Sequence, residues 1–351
     1  MPALDEFESI AREIRSIEEK RSSFGEKARE IAEGNGFLES GPLFKKVKER
    51  GFSGRIGAVD GGVLASEFHA FDLVLVRAAG VVFDYENGKL RGYEFFPERF
   101  PDYGRKIKQC LESYELNWFK DIERLKAEVI CCRKMIEEKK PRMLLMDGSV
   151  VPQRADQPAQ DSQLYADYNG LIYEYNLLFE EAKRSETILA GVIKDCRSKS
   201  WISLAEKSGL KEAEEVLGRS NDTTILYYAM KRGERTSCFK YASEAREHPI
   251  LKDFGEKARE ISCFYLKAVE FDRPTRVEFV GGSEVVEEVA EAALDLSRHN
   301  KSYAYPAVLI EADLRATMNP QELEVFFAQM QSKVGFRAGM LPLKRNSRPF
   351  R

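Results

Sequence analysis

Two aspartates occupy the same kind of position in the sequence, each at the end of a short apolar run and each followed by glycine. Asp60 closes the run in residues 55–62 (RIGAVDGG), and Asp147 closes the run in residues 143–148 (MLLMDG). An apolar run that ends in glycine is typical of a buried strand whose last side chain is displayed at a turn. Hard cations take carboxylate oxygens, and paired carboxylates bind the cations used in phosphoryl transfer. The pattern therefore predicts a divalent-metal site at the ends of two core strands.

The elements that must position these aspartates can be predicted in chain order. Residues 68–83 and 89–96 are rich in Val, Leu, Phe and Tyr, and Asn87-Gly88 between them is a strong hairpin signal. The strand that carries Asp60 therefore continues into an antiparallel meander of about three strands. A helical pattern over residues 104–140 follows, and Pro141 stops it before the second aspartate strand.

The rest of the body alternates helices and strands. A polar loop spans residues 150–160, and a strand at residues 187–193 ends at Lys194. Helices are predicted at 162–184, 197–216, 221–232, 283–299 and 320–331, and strands at 236–242, 261–270, 274–281 and 305–311. Such alternation after an antiparallel start predicts an α/β fold, with a mixed sheet covered by helices on both faces.

The N-terminus is predicted to be a helix over residues 4–34. Leu4, Phe7, Ile10, Ile14 and Ile17 recur at three- and four-residue steps, which is typical of an amphipathic helix. This helical arm either packs on its own domain or docks a partner or a second subunit.

Composition excludes several classes of function. The net charge of −3 over 351 residues excludes a generally basic protein that coats nucleic acid. The six cysteines are scattered without a Cys-x-x-Cys pair, and the three histidines are too few for a multi-histidine metal site, so oxygen ligands and Mg or Mn are favoured over zinc. The sequence lacks a membrane-length apolar segment and a signal peptide, so a cytoplasmic protein is expected.

Four motifs together resemble the NurA-type archaeal nucleases. They are residues 58–61 (AVDG), 145–149 (LMDGS), 193–194 (IK) and the segment from Tyr305-Pro306 to Asp313, and their order and spacing span residues 50–320. The resemblance implies an RNase H-like fold, in which the first three strands are antiparallel and later ones parallel. It divides the chain into an N-terminal arm (1–50), a nuclease domain (51–335) and a basic C-terminal tail (336–351).

The activity that this resemblance implies is Mn- or Mg-dependent cleavage of DNA. Members of the family cut single strands internally and from 5′ ends, and they process DNA ends together with the hexameric translocase HerA. A homodimer is also expected from the resemblance.

The resemblance also assigns site residues. It places Asp60, Asp147, Asp313 and a helix glutamate on one or two divalent cations, and that glutamate corresponds best to Glu128. Glu123 is the fallback, and an ordinary solvated charge is the alternative for both. Family members usually carry Ala-His where this chain has Ala312-Asp313, a change that either preserves an oxygen-ligated site or weakens catalysis.

Other residues are expected to act on the phosphate or the bases. Lys194, unless it is a plain surface lysine, would neutralise phosphate charge or help to position water. Tyr305 would hydrogen bond a ligand or stack on a base, or else is a core aromatic. Arg197, Lys199 and Arg235 are candidate phosphate contacts.

Two other functions stay open at this point. An actin-like ATPase or sugar kinase shares the sheet topology, and Gly281-Gly282-Ser283 resembles its adenosine loop. A non-catalytic adaptor would keep the nuclease scaffold, with Asp313 marking lost activity and the N-terminal helix serving a partner.

Overall fold

The computed structural model describes residues 2–109, 111–210 and 214–343, and within them one mixed sheet of eleven strands forms the centre of the molecule. The strands are β1 Phe44–Lys46, β2 Gly54–Glu67, β3 Asp72–Glu86, β4 Lys89–Phe96, β5 Gly104–Lys108, β6 Met143–Asp147, β7 Ile188–Ile193, β8 Glu234–Thr236, β9 Phe239–Lys240, β10 Ile261–Lys267 and β11 Thr275–Val280. Cys110 and the basic residues Lys344, Arg345, Arg348 and Arg351 lie outside the described residues.

The helices cover both faces of this sheet. They are α1 Pro2–Arg29, α2 Ser113–Lys139, α3 Tyr165–Arg184, α4 Ser200–Lys207, α5 Glu214–Gly218, α6 Asp222–Ala229, α7 Val286–Ser297, α8 Ala307–Ala316 and α9 Pro320–Val334. Short 3₁₀ segments span Arg154–Asp156, Leu251–Glu260 and Ala338–Met340.

The strand order is β1-β8-β10-β11-β7-β6-β2-β3-β4. Strands β2, β3 and β4 are antiparallel neighbours, and β2, β6 and β7 are parallel neighbours. This confirms the predicted mixed α/β fold. Beyond β7 the sheet continues through antiparallel pairs with β11 and β10, which widens the sheet but leaves β2, β6 and β7 at its centre.

The predicted hairpin between β3 and β4 is confirmed. Asn87 and Gly88 have φ of 51° and 70°, the left-handed backbone that a tight two-residue hairpin needs. The hairpin lies at the start of β2, where Gly54 pairs with Tyr85, so it is remote from Asp60.

Two segments form the opposite kind of element from the one predicted. Residues 104–108, predicted as helix, form β5, because β4 leaves the first half of β3 unpaired and β5 completes that edge. Residues 305–311, predicted as strand, instead lead into helix α8 after Pro306. The buried residues Val308, Leu309, Ala312 and Ala316 recur at helical spacing, a period that the short apolar run concealed.

Two apolar cores lie on opposite faces of the sheet. One packs the sheet against α2 and α3, and the other packs it against α7 and α8. Because side chains alternate along a strand, Val59 of β2 enters the α2 core, whereas Ile56 and Ala58 enter the α8 core. This alternation decides which helix each polar residue of β2 meets.

The N-terminal helix α1 is partly integrated into the body. Phe24 and Ala28 are buried beside α6, whereas Phe7, Ile10 and Ile14 are 71%, 50% and 56% exposed. Strand β1 pairs with β8, so the expected domain boundary at residue 50 would separate residues 44–46 from the sheet to which they are hydrogen bonded. Among the described residues, no helix combines the length and apolarity needed to cross a bilayer.

Candidate metal centre

Asp60 lies in the middle of β2 and not at a strand end. Strand β2 runs unbroken from Gly54 to Glu67, and Asp60 pairs with Ala79 of β3. Its side chain is only 7% exposed, so the expectation of a displayed carboxylate at a turn was wrong. The two glycines that follow Asp60 do not form a turn but allow helices α2 and α8 to approach the strand closely. A Cβ on Gly61 would lie 2.4 Å from Glu128 Oε1, and a Cβ on Gly62 would lie 2.2 Å from the carbonyl oxygen of Ala316.

Asp147 does stand at the end of its strand, as predicted. It is the last residue of β6, and Gly148 follows with φ of 116°, a conformation that favours glycine. Strand β6 is parallel to β2, with Ala58 opposite Leu145, so Asp147 lies close to Asp60 along the sheet. Leu145 packs in the α8 core, and alternation places Asp147 on that same face.

Asp313 completes the group from α8. Carboxylate oxygens of Asp60, Asp147 and Asp313 lie within 4.8 Å of one another, with Asp60 buried and Asp313 exposed. The three side chains come from β2, β6 and α8, so widely separated parts of the sequence converge on one point.

Electrostatic crowding is strongest at Asp60. Burial, followed by the charges of Glu128 and Asp147, raises the pKa of Asp60 to about 8. The hydrogen bond from the Gly61 amide opposes this increase. The pKa exceeds the ordinary value because removing the carboxylate from water and facing it with like charges both disfavour ionisation. A bound divalent cation would relieve both effects.

Glu128 reaches this region from the opposite face of the sheet. It is 2% exposed on α2, and it contacts β2 at Gly61, which faces α2 as Val59 does. Its carboxylate is paired with Arg124 one turn earlier on the helix. Burial raises the pKa of Glu128 to about 7 although Arg124 opposes the increase. Glu128 therefore borders the three-carboxylate group without being part of it.

The fallback residue Glu123 lies elsewhere on α2. It is 6% exposed and pairs with Lys106 of β5 at 3.0 Å. The structure thus brings Glu128, and not Glu123, beside the aspartates.

Lys194 and Tyr305 both hold Asp147. Lys194 Nζ donates to Asp147 Oδ2 at 2.7 Å, and the Tyr305 hydroxyl donates to Asp147 Oδ1 at 2.8 Å. The ammonium also lies 4.4 Å from the centre of the Tyr305 ring. Burial alone would lower the pKa of Lys194, but the hydrogen bond and charge of Asp147 outweigh it and raise the pKa. Burial and the charge of Asp147 raise the pKa of Tyr305 well above its usual value, so the phenol is a donor.

The donor set fits a hard divalent cation. All three clustered ligands are carboxylates, and oxygen donors suit Mg²⁺ and Mn²⁺ better than zinc. Lys194 pairs with Asp147 and Arg124 pairs with Glu128, whereas burial and the charges of Glu128 and Asp147 raise the pKa of Asp60.

The three predicted phosphate contacts are placed differently. Arg197 is exposed and lines a cleft of about 590 Å³ that begins at Asp147. Lys199 is exposed, but its ammonium donates to the carbonyls of Leu217 and Gly218 at 3.0 and 2.9 Å. Arg235 is 0% exposed and is held by Glu39 and Glu287, so its guanidinium cannot reach a phosphate in this structure. The prediction for Arg235 was wrong because a strand position inside the sheet buries it.

Most of the chain matches the model of a known protein family. The model of the NurA domain matches residues 54–317, well over half of the chain. The chain belongs to the NurA family. No protein with a curated description matches it.

Solved NurA structures share the fold. The NurA nuclease from Sulfolobus solfataricus is 16% identical with a TM-score of 0.58, over 95% of this chain and 97% of that one. Another NurA crystal structure is 11% identical with a TM-score of 0.57, over 95% and 98% of the two chains. A NurA crystallised with manganese is 12% identical with a TM-score of 0.52, over 85% and 93%.

The glycine pair that suggested an adenosine loop is remote from the carboxylates of this NurA chain. Strand β11 is antiparallel to β7, with Arg276 opposite Ile193 and Phe279 opposite Ala190. Gly281 therefore follows β11 at the amino end of β7, whereas Asp147 lies beside the carboxyl end. The family match and this placement both oppose the kinase interpretation.

Sequence reasoning missed the charged residues that support the NurA site. Arg124 was detectable, because it precedes Glu128 by one helical turn. Arg276 and Glu278 form a buried pair at 2.8 Å on β11, and Ser149 donates to Glu278 at 2.5 Å. Their signal was two charges at alternate positions of an otherwise apolar strand.

Proposed function

We propose that this protein is a divalent-metal-dependent deoxyribonuclease that hydrolyses phosphodiester bonds. The observation that carries this proposal is the convergence of Asp60, Asp147 and Asp313 within 4.8 Å, in a member of the NurA family. Mn²⁺ or Mg²⁺ suits these ligands, and a similarly folded NurA has been crystallised with manganese.

The proposed role of each side chain follows from its position. Asp60, Asp147 and Asp313 would hold the cation, and Glu128, paired with Arg124, borders the group from the α2 side. A cation bound there would supply Lewis-acid polarisation of a scissile phosphate. Lys194 stands at the edge of this group with 37% of its side chain exposed, where its charge can neutralise a phosphate oxygen.

Tyr305 acts through Asp147. Its hydroxyl donates to one carboxylate oxygen while Lys194 donates to the other, so the orientation of the Asp147 carboxylate is fixed. Hydrogen bonds of this kind keep metal ligands oriented and basic.

The finer features of the proposal follow the family. We expect single-strand endonuclease and 5′–3′ exonuclease activity, DNA-end processing with a HerA-type hexameric ATPase, and a homodimer. The exposed apolar residues Phe7, Ile10 and Ile14 of α1 offer a surface for such assembly. A cytoplasmic location agrees with a DNA substrate of this kind.

Cleavage of a labelled single-stranded oligonucleotide in Mn²⁺, in Mg²⁺ and in EDTA tests the proposal. Asp60→Asn and Asp147→Asn should each abolish metal-dependent cleavage. Asp84→Asn is the matched control, because Asp84 lies on β3 near the hairpin and pairs there with Arg55 at 3.5 Å. Cleavage that survives EDTA or Asp60→Asn would refute the proposal. Absence of cleavage in the wild type despite metal binding would favour the adaptor.

A further inference from the structure

A continuous groove leads away from the metal centre. The first cleft, of about 590 Å³, begins at Asp147. A second, of about 620 Å³, lies between α6 and α1. Both are lined by Asp195, Cys196 and Arg197, the residues that follow β7 and Lys194. The two clefts therefore meet at Arg197 and form one path from the carboxylates to α6.

Two arginines along this path have guanidinium groups that are available to bind an anionic ligand. Within the part of the chain that the structure describes, Arg197 is exposed and its guanidinium forms no hydrogen bond or ion pair. Arg273 pairs with Asp195 at 2.9 Å, but their side chains are 58% and 73% exposed. An ion pair this exposed contributes little to stability and exchanges readily for a phosphate.

The far end of the path carries two aromatic side chains. Tyr227 and Tyr228 of α6 are 39% and 37% exposed, and both line the second cleft. Their ring centres lie 5.2 Å apart at 88°. Exposed rings beside cationic side chains are what proteins use to bind unpaired bases together with their phosphates.

We propose that a single nucleic-acid strand runs from the metal centre through the first cleft and over Arg197 into the second. Arg197 and Arg273 contact its phosphates, and Tyr227 and Tyr228 stack on its bases. A duplex is disfavoured, because paired bases do not present their faces to a side chain. This inference rests on the proposed nuclease function and adds the path of the substrate.

Binding of a fluorescein-labelled dT20 strand in EDTA, followed by anisotropy, tests the path without cleavage. Each phosphate contact contributes about 0.7 to the slope of log affinity against log salt, so Arg197→Gln with Arg273→Gln should reduce the slope by about 1.4. Tyr227→Leu and Tyr228→Leu should each weaken binding about 10-fold or more with little change in slope.

Matched controls lie on the opposite edge of the sheet. Arg91→Gln removes the same charge from β4, and Tyr93→Leu removes a 62% exposed ring from the same strand. Neither should change affinity for dT20. A labelled duplex with blunt ends should bind the wild type more weakly and respond less to the tyrosine changes.

Hydrolysis of bis(4-nitrophenyl) phosphate separates this inference from the function on which it rests. That diester is too small to extend into the second cleft, so Tyr227→Leu and Tyr228→Leu, at residues that line only that cleft, should hydrolyse it at the wild-type rate. Wild-type protein that hydrolyses neither this diester nor DNA would refute the nuclease proposal. Groove variants that bind dT20 with wild-type affinity and salt slope, or duplex bound as tightly as dT20, would refute the path.

Discussion

Asp60 is the residue at which burial and like charge meet. It is 7% exposed, it faces Asp147 and Asp313, and Glu128 approaches from the other side of β2. Arg124 forms its ion pair with Glu128, and Lys194 forms its ion pair with Asp147. Without a cation the group is therefore electrostatically frustrated, and its protonation state affects the stability of the fold.

Asp60→Asn should change how the stability of the metal-free protein depends on pH, which can be measured in EDTA. The folded pKa is about 8 and the ordinary value is 3.8, so between these values the folded wild type retains a proton that the unfolded chain has lost. The stability of the wild type should therefore fall relative to Asp60→Asn as pH rises from about 4 to about 8, by on the order of a few kcal/mol. Urea unfolding of both proteins at several pH values measures the difference. A difference that is constant with pH would contradict the assignment.

Tyr305→Phe removes the hydroxyl that orients Asp147. Loss of this hydrogen bond should reduce cleavage by about 10-fold or more, since partners of metal ligands typically have effects of that size. Unfolding should become easier by only about 1 kcal/mol. Initial rates in Mn²⁺ and thermal unfolding measure the two effects.

Tyr303→Phe is the control for that change. Tyr303 is 49% exposed and its ring lies 6.1 Å from the ring of Tyr305, so the same atom is removed nearby. Equal losses of activity in both variants would show that the hydroxyl of Tyr305 has no specific role.

At the scale of elements, the site depends on how closely α2 and α8 approach β2. Gly61 admits Glu128 on one face, and Gly62 admits the end of α8 on the other. The alternation of side chains along β2 thus assigns Asp60 and Asp313 to the same face and Glu128 to the opposite one.

Gly62→Ala should displace α8 and Asp313 with it. The new Cβ would lie 2.2 Å from the backbone oxygen of Ala316, which cannot move without its helix. We expect a loss of about 1–3 kcal/mol in stability and a smaller increase in melting temperature on addition of Mn²⁺. Differential scanning fluorimetry with Mn²⁺ and with EDTA measures both.

Gly92→Ala is the matched control in β4, which is separated from β2 by β3. Its Cβ would meet only Asp84 Oδ2 at 3.7 Å, an ordinary contact. A Gly62→Ala protein that keeps the full Mn²⁺ response would show that α8 does not position Asp313 for the cation.

Some of these elements could be predicted from the sequence and others could not. The apolar run before Asp147 and the Asn87-Gly88 hairpin were informative because local chemistry determines them. The position of Asp60 was predicted wrongly because a glycine pair is typical both of a turn and of a strand that a helix approaches closely. Only the packing of α2 and α8 against β2 distinguishes these two structures. Arg235 was misassigned because burial in the sheet depends on strand partners far away in the chain.

At the scale of the whole molecule, the first half of α1 extends its apolar side chains away from the body. Phe24 and Ala28 pack beside α6, but Ile10 and Ile14 remain about half exposed. An apolar surface of this kind is suited to the proposed subunit contact.

The proposed dimer contact through α1 predicts that Ile10→Ser with Ile14→Ser converts a dimer to a monomer. The change removes apolar area from the proposed contact, whereas the 50% and 56% exposure of these side chains predicts an almost unchanged melting temperature at low protein concentration. Light scattering coupled to size exclusion measures the mass. Val325→Ser, at a 55% exposed position of α9, is the control, and equal dimer content in both variants would contradict the assignment.

The central position of Asp60 in β2 also predicts how the protein exchanges amide hydrogens and how it is inactivated by heat. Asp60 lies within a strand of 14 residues that is paired with β3 along its length, so no short loop carries it. Amides around Asp60 should exchange with solvent only when the entire sheet opens, unlike those of a ligand at a fraying chain end. Heating should therefore leave Asp60 in register until the cooperative transition itself, and loss of the proposed activity and loss of structure should share one midpoint.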